Sequence, residues 1–410
     1  MSQGHTTPLL YLSRLFSDRH ISVTLITTPA NYSAIKATLK TDSISVIDIP
    51  FPDNIAGVPP GVEITDNHPS MSSFVNFVQA TQQLQPRFEQ LVRSLPPVTC
   101  TISDGFLIWT QDSADKLGIP RLIFYGANIF SMTMCNIMAQ FKPHAAVGLD
   151  DEPFAVPGFR RFKLMANDFE PPLSELEPKG PALDFLIRQQ EAMARSHGMV
   201  VNSFNELEPE FQDYWNRNYG PKAWQRRLPS SYVREVSIGL EQSNVRFMWV
   251  VKSKQLRLIG EGFEERVKGR GKVVGEWADQ MEILKHEIVC GFLSHCGWNS
   301  MLESMCVGVA VLAMPLMAEQ HLNARLVVEE IGMGLRLWPR DMVARGVVGA
   351  EEVAKMVVEL MEGEGGRRVR KRVEAVREVA YGAMKDGGSS STTLDSLIGH
   401  VCGAVHSGGT

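Results

Sequence analysis

Trp277-Ala278-Asp279-Gln280 opens, and Glu319-Gln320 closes, the segment from which the architecture of this 410-residue chain can be built up. Between them stand Ile283-Leu284, His286, the run Gly291-Phe292-Leu293-Ser294-His295-Cys296-Gly297-Trp298-Asn299-Ser300, then Glu303, Gly308-Val309 and Pro315. Ile288 to Leu293 is an apolar run of buried-strand length. His295 to Trp298 turns the chain, and Ser300-x-x-Glu303 has the pattern of a capping box opening a helix that stops at Gly308. Val309 to Met314 is the next strand, ended by Pro315. A strand that passes through a glycine turn into a capped helix leaves backbone N–H groups pointing out of the sheet edge. Those donors and the helix dipole both favour an anion there.

The residues around that anion site suit a nucleotide sugar. Indoles at Trp277 and Trp298 can stack or line a cleft, His295 can meet a phosphate, and Glu303 can take ribose hydroxyls. Glu319-Gln320 can hold sugar hydroxyls. The segment resembles the signature box of plant family-1 UDP-glycosyltransferases, which begins Trp-x-Pro-Gln and ends Asp/Glu-Gln over the same positions, 277 to 320. Two residues depart from it: Asp279 and Ala310 stand where the family usually has proline. Both occupy backbone-shaping positions, so altered local stiffness is expected rather than lost chemistry.

Composition narrows the field. With 44% apolar residues the chain can bury a sizeable core, and a net charge of −5 gives no nucleic-acid or polybasic membrane surface. The six cysteines (Cys100, Cys135, Cys290, Cys296, Cys306, Cys402) are scattered without a Cys-x-x-Cys, so buried free thiols are expected. No secretory pattern opens the chain, and Val307 to Ala318 falls well short of the ~20 residues of a membrane span. A soluble, cytoplasmic monomer without a membrane span or nucleic-acid partner is the expectation.

Taken in order, Met1 to Pro8 reads as a glycine-bearing loop before a helix, Leu9 to Phe16. Strands are expected at Ile21–Thr27, Ser43–Ile49, Val98–Ser103, Arg121–Tyr125 and Gly198–Asn202, with helices between them. Pro50 to Pro69 is proline-rich loop, and Phe141 to Pro181 reads as irregular. A second series runs from helix Tyr232–Gln242 through strand Val245–Val251 and Val273-Val274 into the box, then Gly334–Trp338 and helices Ala350–Met361, Arg368–Lys385 and Thr392–Val401. Alternating strands and helices argue for an α/β fold with mostly parallel sheets flanked by helices. The resemblance implies two facing Rossmann-like domains, the GT-B architecture. Residues 1–222 would form an acceptor-binding domain, 223–231 a shortened linker, 232–385 the UDP-sugar-binding domain, and 386–410 a C-terminal helix and tail packing back on the first.

Against the family pattern, segments are missing. The family starts with a buried strand before the glycine–histidine loop, which here begins at Met1. It also carries roughly fifty more residues after the equivalent of Lys222-Ala223-Trp224, a length judged against ordinary domain sizes. Here Trp224 runs through Gln225-Arg226-Arg227-Leu228-Pro229-Ser230-Ser231 straight into a helix. Both absent strands would be central, so a less stable chain is expected.

By resemblance, the reaction is an inverting, metal-independent transfer of glucose from UDP-glucose to a hydroxyl of a small lipophilic acceptor such as a flavonoid. UDP-sugar is a co-substrate and no cofactor is implied. His5 matches the catalytic base, and Asp104 its orienting partner. Trp277 matches the uracil-stacking residue, with Ala278 giving backbone bonds to the base and Gln280 and Glu303 meeting the ribose. His295, Gly297 and the backbone around Asn299 and Ser300 would receive the diphosphate. Trp298, Glu319 and Gln320 would lie at the sugar. Each also has a plainer reading: a terminal histidine, a strand-end aspartate, a core tryptophan, a helix-capping glutamate. Rivals fare worse. A Gly-x-Gly-x-x-Gly is absent after every expected strand, Gly260-Glu261-Gly262 lacks its third glycine, and no P-loop precedes Gly271-Lys272. The alternative from another class is a truncated remnant that binds UDP-sugar weakly or does not fold.

Overall fold

The computed structural model describes residues 3–52, 55, 62–63, 71–148, 150, 152–219, 232–251, 253–275, 278–337 and 348–407. In the first half, β1 (Thr24–Thr27) pairs in parallel with β2 (Ser45–Asp48), Thr24 opposite Ser45. β3 (Thr101–Asp104), β4 (Arg121–Tyr125) and β7 (Gly198–Val201) form a separate parallel ladder with β4 in the middle. Between β4 and β7 the chain makes an antiparallel hairpin, β5 (Phe154–Val156) and β6 (Phe159–Leu164). In the second half, β8 (Phe247–Val250) pairs with β9 (Gly271–Val274), and β10 (Gly291–Ser294), β11 (Ala310–Ala313) and β12 (Gly334–Arg336) form another parallel trio. Parallel neighbours need a crossover connection, and helices supply most of them, as an α/β chain requires.

Both halves break at the same place. Among the described residues no ladder joins β1 to β3, or β8 to β10. In the doubly wound order these are the flanks of the first, central strand. Burial follows the break. All five residues of β4 and all four of β11 are buried, whereas β1 is half-buried throughout and β8 leaves Met248 and Val250 exposed. One large core nevertheless spans both halves, running from Ile123, Phe130 and Phe211 to Trp298, Val311 and Val373.

Several expectations need correction. Residues 3 to 8 are not a loop: a helix runs Gln3–Ser17 with Pro8 inside it. Phe141–Pro181 is not simply irregular, because Pro157-Gly158 turns an alternating Phe159–Leu164 strand back on Phe154–Val156. The helix after the signature turn begins at Trp298, with Gly297 as its N-cap residue, so Ser300 and Glu303 do not form a capping box. Cys296, at φ +63°, tips the chain into the helix three residues early. The cysteines are all free, but only Cys135 and Cys296 are buried; Cys100, Cys306 and Cys402 are half-buried and Cys290 is exposed. The 223–231 linker and most of the Pro50–Pro69 loop lie outside the described residues.

The last helix, Ser389–Ser407, touches the first half at three points between Ser389 and His400. Arg19 Nε donates to Asp395 Oδ1 at 2.6 Å, Ser389 Oγ to Glu206 Oε2 at 2.7 Å, and His197 and His400 bring their Nε2 atoms within 3.1 Å. Among the described residues, no helix is long and apolar enough to cross a membrane.

Candidate active site

His5 sits in the first turns of the Gln3–Ser17 helix and is 2% exposed. Its Nδ1 meets Asp104 Oδ2 at the carboxyl end of β3 in a short buried contact. Asp104 Oδ1 accepts the Phe106 N–H at 2.9 Å, which fixes the carboxylate where β3 turns. Burial alone would raise the Asp104 carboxyl, but the charge and hydrogen bond of His5 and the Phe106 N–H outweigh it and hold the group below the usual carboxylate range. Arg121 closes the back of this arrangement. It is 1% exposed and donates to Ser103 Oγ at 2.7 Å, Ser196 Oγ at 2.9 Å and the Asp104 carbonyl at 3.3 Å. Burial lowers its guanidinium to about 10.

The second part grows from β10. Ser294 Oγ accepts the Cys296 N–H at 3.2 Å, and Asn323 Nδ2 holds the Cys296 carbonyl at 3.0 Å, so the left-handed turn is braced from both sides. Burial pushes the Cys296 thiol far up, which removes it as a nucleophile. Gly297 is required by space: a Cβ there would stand 2.5 Å from His295 Nε2. The helix Trp298–Val307 then presents its first N–H groups beside His295, the geometry that suits an anion.

Not every expected residue points into the cleft. Trp298 is 1% exposed, and its Nε1 donates to the Asn202 carbonyl at 2.6 Å, so the indole is a core anchor. Asn299 bridges the halves. Its Oδ1 accepts from Asn202 Nδ2 at 2.8 Å and its Nδ2 donates to the Gly4 carbonyl at 2.7 Å. That carbonyl needs an outside donor, because Pro8, four residues on, has no N–H to give it. Gln280 Nε2 reaches Ser300 Oγ at 3.1 Å and Glu303 Oε2 at 2.6 Å, which gathers three expected ribose and phosphate residues into one cluster. Burial raises the Glu303 carboxyl. Ala278 is half-buried beside them, while Trp277 lies outside the described residues. Asp279, where the family has proline, caps the short helix Gln280–Leu284 by accepting the Glu282 N–H at 3.1 Å. Ala310, the other departure, is buried at the start of β11.

Glu319 and Gln320 are 8% and 4% exposed. Gln320 Oε1 accepts the Leu316 and Met317 N–H groups at 3.2 Å, leaving donation to its amide nitrogen. Glu319 lines an apolar cavity together with Phe74, Phe106, Phe169 and Phe185. Phe106 also touches the His5 ring, with centroids 5.4 Å apart. Phe106 thus joins the cavity wall to the imidazole, and Glu319 lines the same cavity. Among the described residues, no group of three His, Cys, Asp or Glu side chains could hold a metal ion.

The comparisons with known proteins bear on this geometry. Residues 225–359 match the family model for UDP-glucoronosyl and UDP-glucosyl transferases. UDP-glycosyltransferase 90A1 of Arabidopsis thaliana is 41% identical across the whole chain and 96% of its own length. The chain belongs to the plant family-1 UDP-glycosyltransferases. The fold of this glycosyltransferase is GT-B. A solved UGT73P12 of Glycyrrhiza uralensis, complexed with glycyrrhetinic acid 3-O-monoglucuronide, superposes with a TM-score of 0.87 at 27% identity, covering 98% of this chain and 94% of that one. Phytolacca americana UGT2, solved with UDP-2-fluoro-glucose and pterostilbene, gives 0.80 at 26% identity, over 98% of each chain. The alignment with the Arabidopsis relative runs over 463 positions, more than the 410 residues here, so that relative carries segments this glycosyltransferase lacks.

Sequence reading missed Arg121, Asn202, Asn128 and Asn323. Asn128 Nδ2 donates to Asn323 Oδ1 at 2.6 Å, and both are fully buried between the halves. Only Asn128 carried a local signal, as the N-cap of the helix Ile129–Phe141.

Proposed function

We propose that the chain transfers glucose from UDP-glucose to a hydroxyl of a small lipophilic acceptor such as a flavonoid or other phenolic, with inversion and without a metal ion. The observation that carries this reading is the buried His5–Asp104 pair beside a cavity that also reaches Glu319. With Nδ1 engaged by Asp104, the basic nitrogen of His5 is Nε2. As the acceptor oxygen attacks the anomeric carbon from the face opposite UDP, its proton passes to Nε2, and Asp104 stabilises the imidazolium. The leaving diphosphate takes up negative charge at His295 and the N–H groups opening the Trp298–Val307 helix. The 30–32% identical relatives named as a flavonoid 3-O-glucosyltransferase from Fragaria ananassa and a scopoletin glucosyltransferase from Nicotiana tabacum support the donor and acceptor class.

Initial rates with UDP-glucose and a phenolic acceptor test it. His5→Ala should lower kcat by about 10²- to 10⁴-fold while UDP still raises the melting temperature. Normal turnover by that variant would remove His5 as the base. The split sheets favour a second reading, in which the same site binds UDP-sugar without turnover. A UDP-dependent melt with no sugar transfer to any phenol would select it.

A further inference from the structure

We propose that the acceptor cavity selects by charge, accepting flat uncharged phenols and excluding those that carry a carboxylate. The inference rests on reading this cavity as the acceptor site. Its walls are aromatic, with Phe74, Phe106, Phe169 and Phe185, and Phe106 also touches the His5 ring. Every charged residue lining it is acidic: Asp168, Glu170 and Glu319. Asp168 Oδ1 takes the Arg325 Nε at 2.9 Å, and the same guanidinium turns its Nη1 to Glu329 at 3.2 Å. That cation is thus paired with Asp168, which lines the cavity, and with Glu329, which does not. Glu170 and Glu319 stand on either side of Ala318, whose N–H points to Glu170 Oε1 at 3.4 Å.

No Lys or Arg lines the cavity among the described residues. An acceptor carboxylate entering here would lose its hydration to phenyl rings and find like charge at the polar positions. A neutral ring loses nothing comparable and stacks on the same walls. Selection against acids follows from both effects at once.

The test uses three coumarins of one shape: 4-methylumbelliferone, 7-hydroxycoumarin-4-acetic acid and the methyl ester of that acid. The ester controls for size. With UDP-glucose, kcat/KM for the acid should be about a hundredfold below that for the ester. Glu170→Lys should narrow the gap to about tenfold or less, with Glu170→Gln between. Acid and ester within about threefold of each other, or a gap that Glu170→Lys leaves unchanged, would overturn the proposal. Should no coumarin be glucosylated, the transfer reading fails separately, and coumarin fluorescence titrations in the presence of UDP decide the charge question. Tighter binding of the ester than of the acid, by about tenfold or more, sustains it. Equal binding, or none by any of the three, overturns it.

Discussion

β4 and β11 lie in the same molecule as β1 and β8, are about the same length, and live in different surroundings. The first pair is flanked on both edges and buried throughout; the second, among the described residues, pairs on one edge only and stays half open to solvent. Two of the groups proposed for chemistry stand on the closed trios: Asp104 ends β3, and the His295 turn follows β10. Each half of the molecule thus combines a well-packed block that carries the site with a two-stranded block packed beside it. Packing density and proposed chemistry travel together, and the stability of the whole is set by how well the looser blocks are held.

The sharpest way to probe that contrast is to fill the gaps. A variant extended by an apolar parallel strand between β1 and β3, and another between β8 and β10, should melt about 10 °C or more higher, measured by calorimetry. An unchanged melt would mean that the blocks are already joined as firmly as a continuous sheet. Next in size is a pair of truncations. Leu312→Ala in β11, 0% exposed, should cost about 2–5 kcal/mol, whereas Met248→Ala in β8, 54% exposed, should stay within about 0.5 kcal/mol in urea unfolding. Similar costs at the two sites would erase the distinction. Smallest is a pH effect in the closed trio's surroundings. Glu208 is fully buried, accepts the Phe130 N–H at 2.7 Å, and burial lifts its carboxyl to about 7 from 4.5. Between those values the folded chain holds one proton more than the unfolded one, so this group's contribution falls as pH rises from 4.5 to 7 and is level above. Glu208→Gln should flatten that part of the stability–pH curve; an unaltered slope would assign it to other groups.

How legible this was depends on range. Arg121–Tyr125 and Ala350–Met361 could be bounded from the sequence because glycine and proline or a helical period mark their ends. The parallel α/β layering followed from alternation, while the two-domain order was implied by the family resemblance. The hairpin Phe154–Leu164 escaped because its strands are short and lie among prolines. The capping box misled because Ser300-x-x-Glu303 has the right spacing for a job it does not do, its side chains turning instead to Gln280 from outside the helix. Arg121 could not be suspected at all: its partners, Ser103 and Ser196, come together only when β3, β4 and the chain before β7 are side by side.

Pro8 has a consequence for how the halves recognise each other. By withholding one amide it makes the turn that bears His5 incomplete on its own, and the amide it lacks is lent by Asn299 from the start of the Trp298–Val307 helix. The turn bearing the proposed base therefore has that carbonyl satisfied only when the second half is docked against it. Alanine at position 8 would let the helix complete itself, and His5 would then be in place whether or not the other half had arrived.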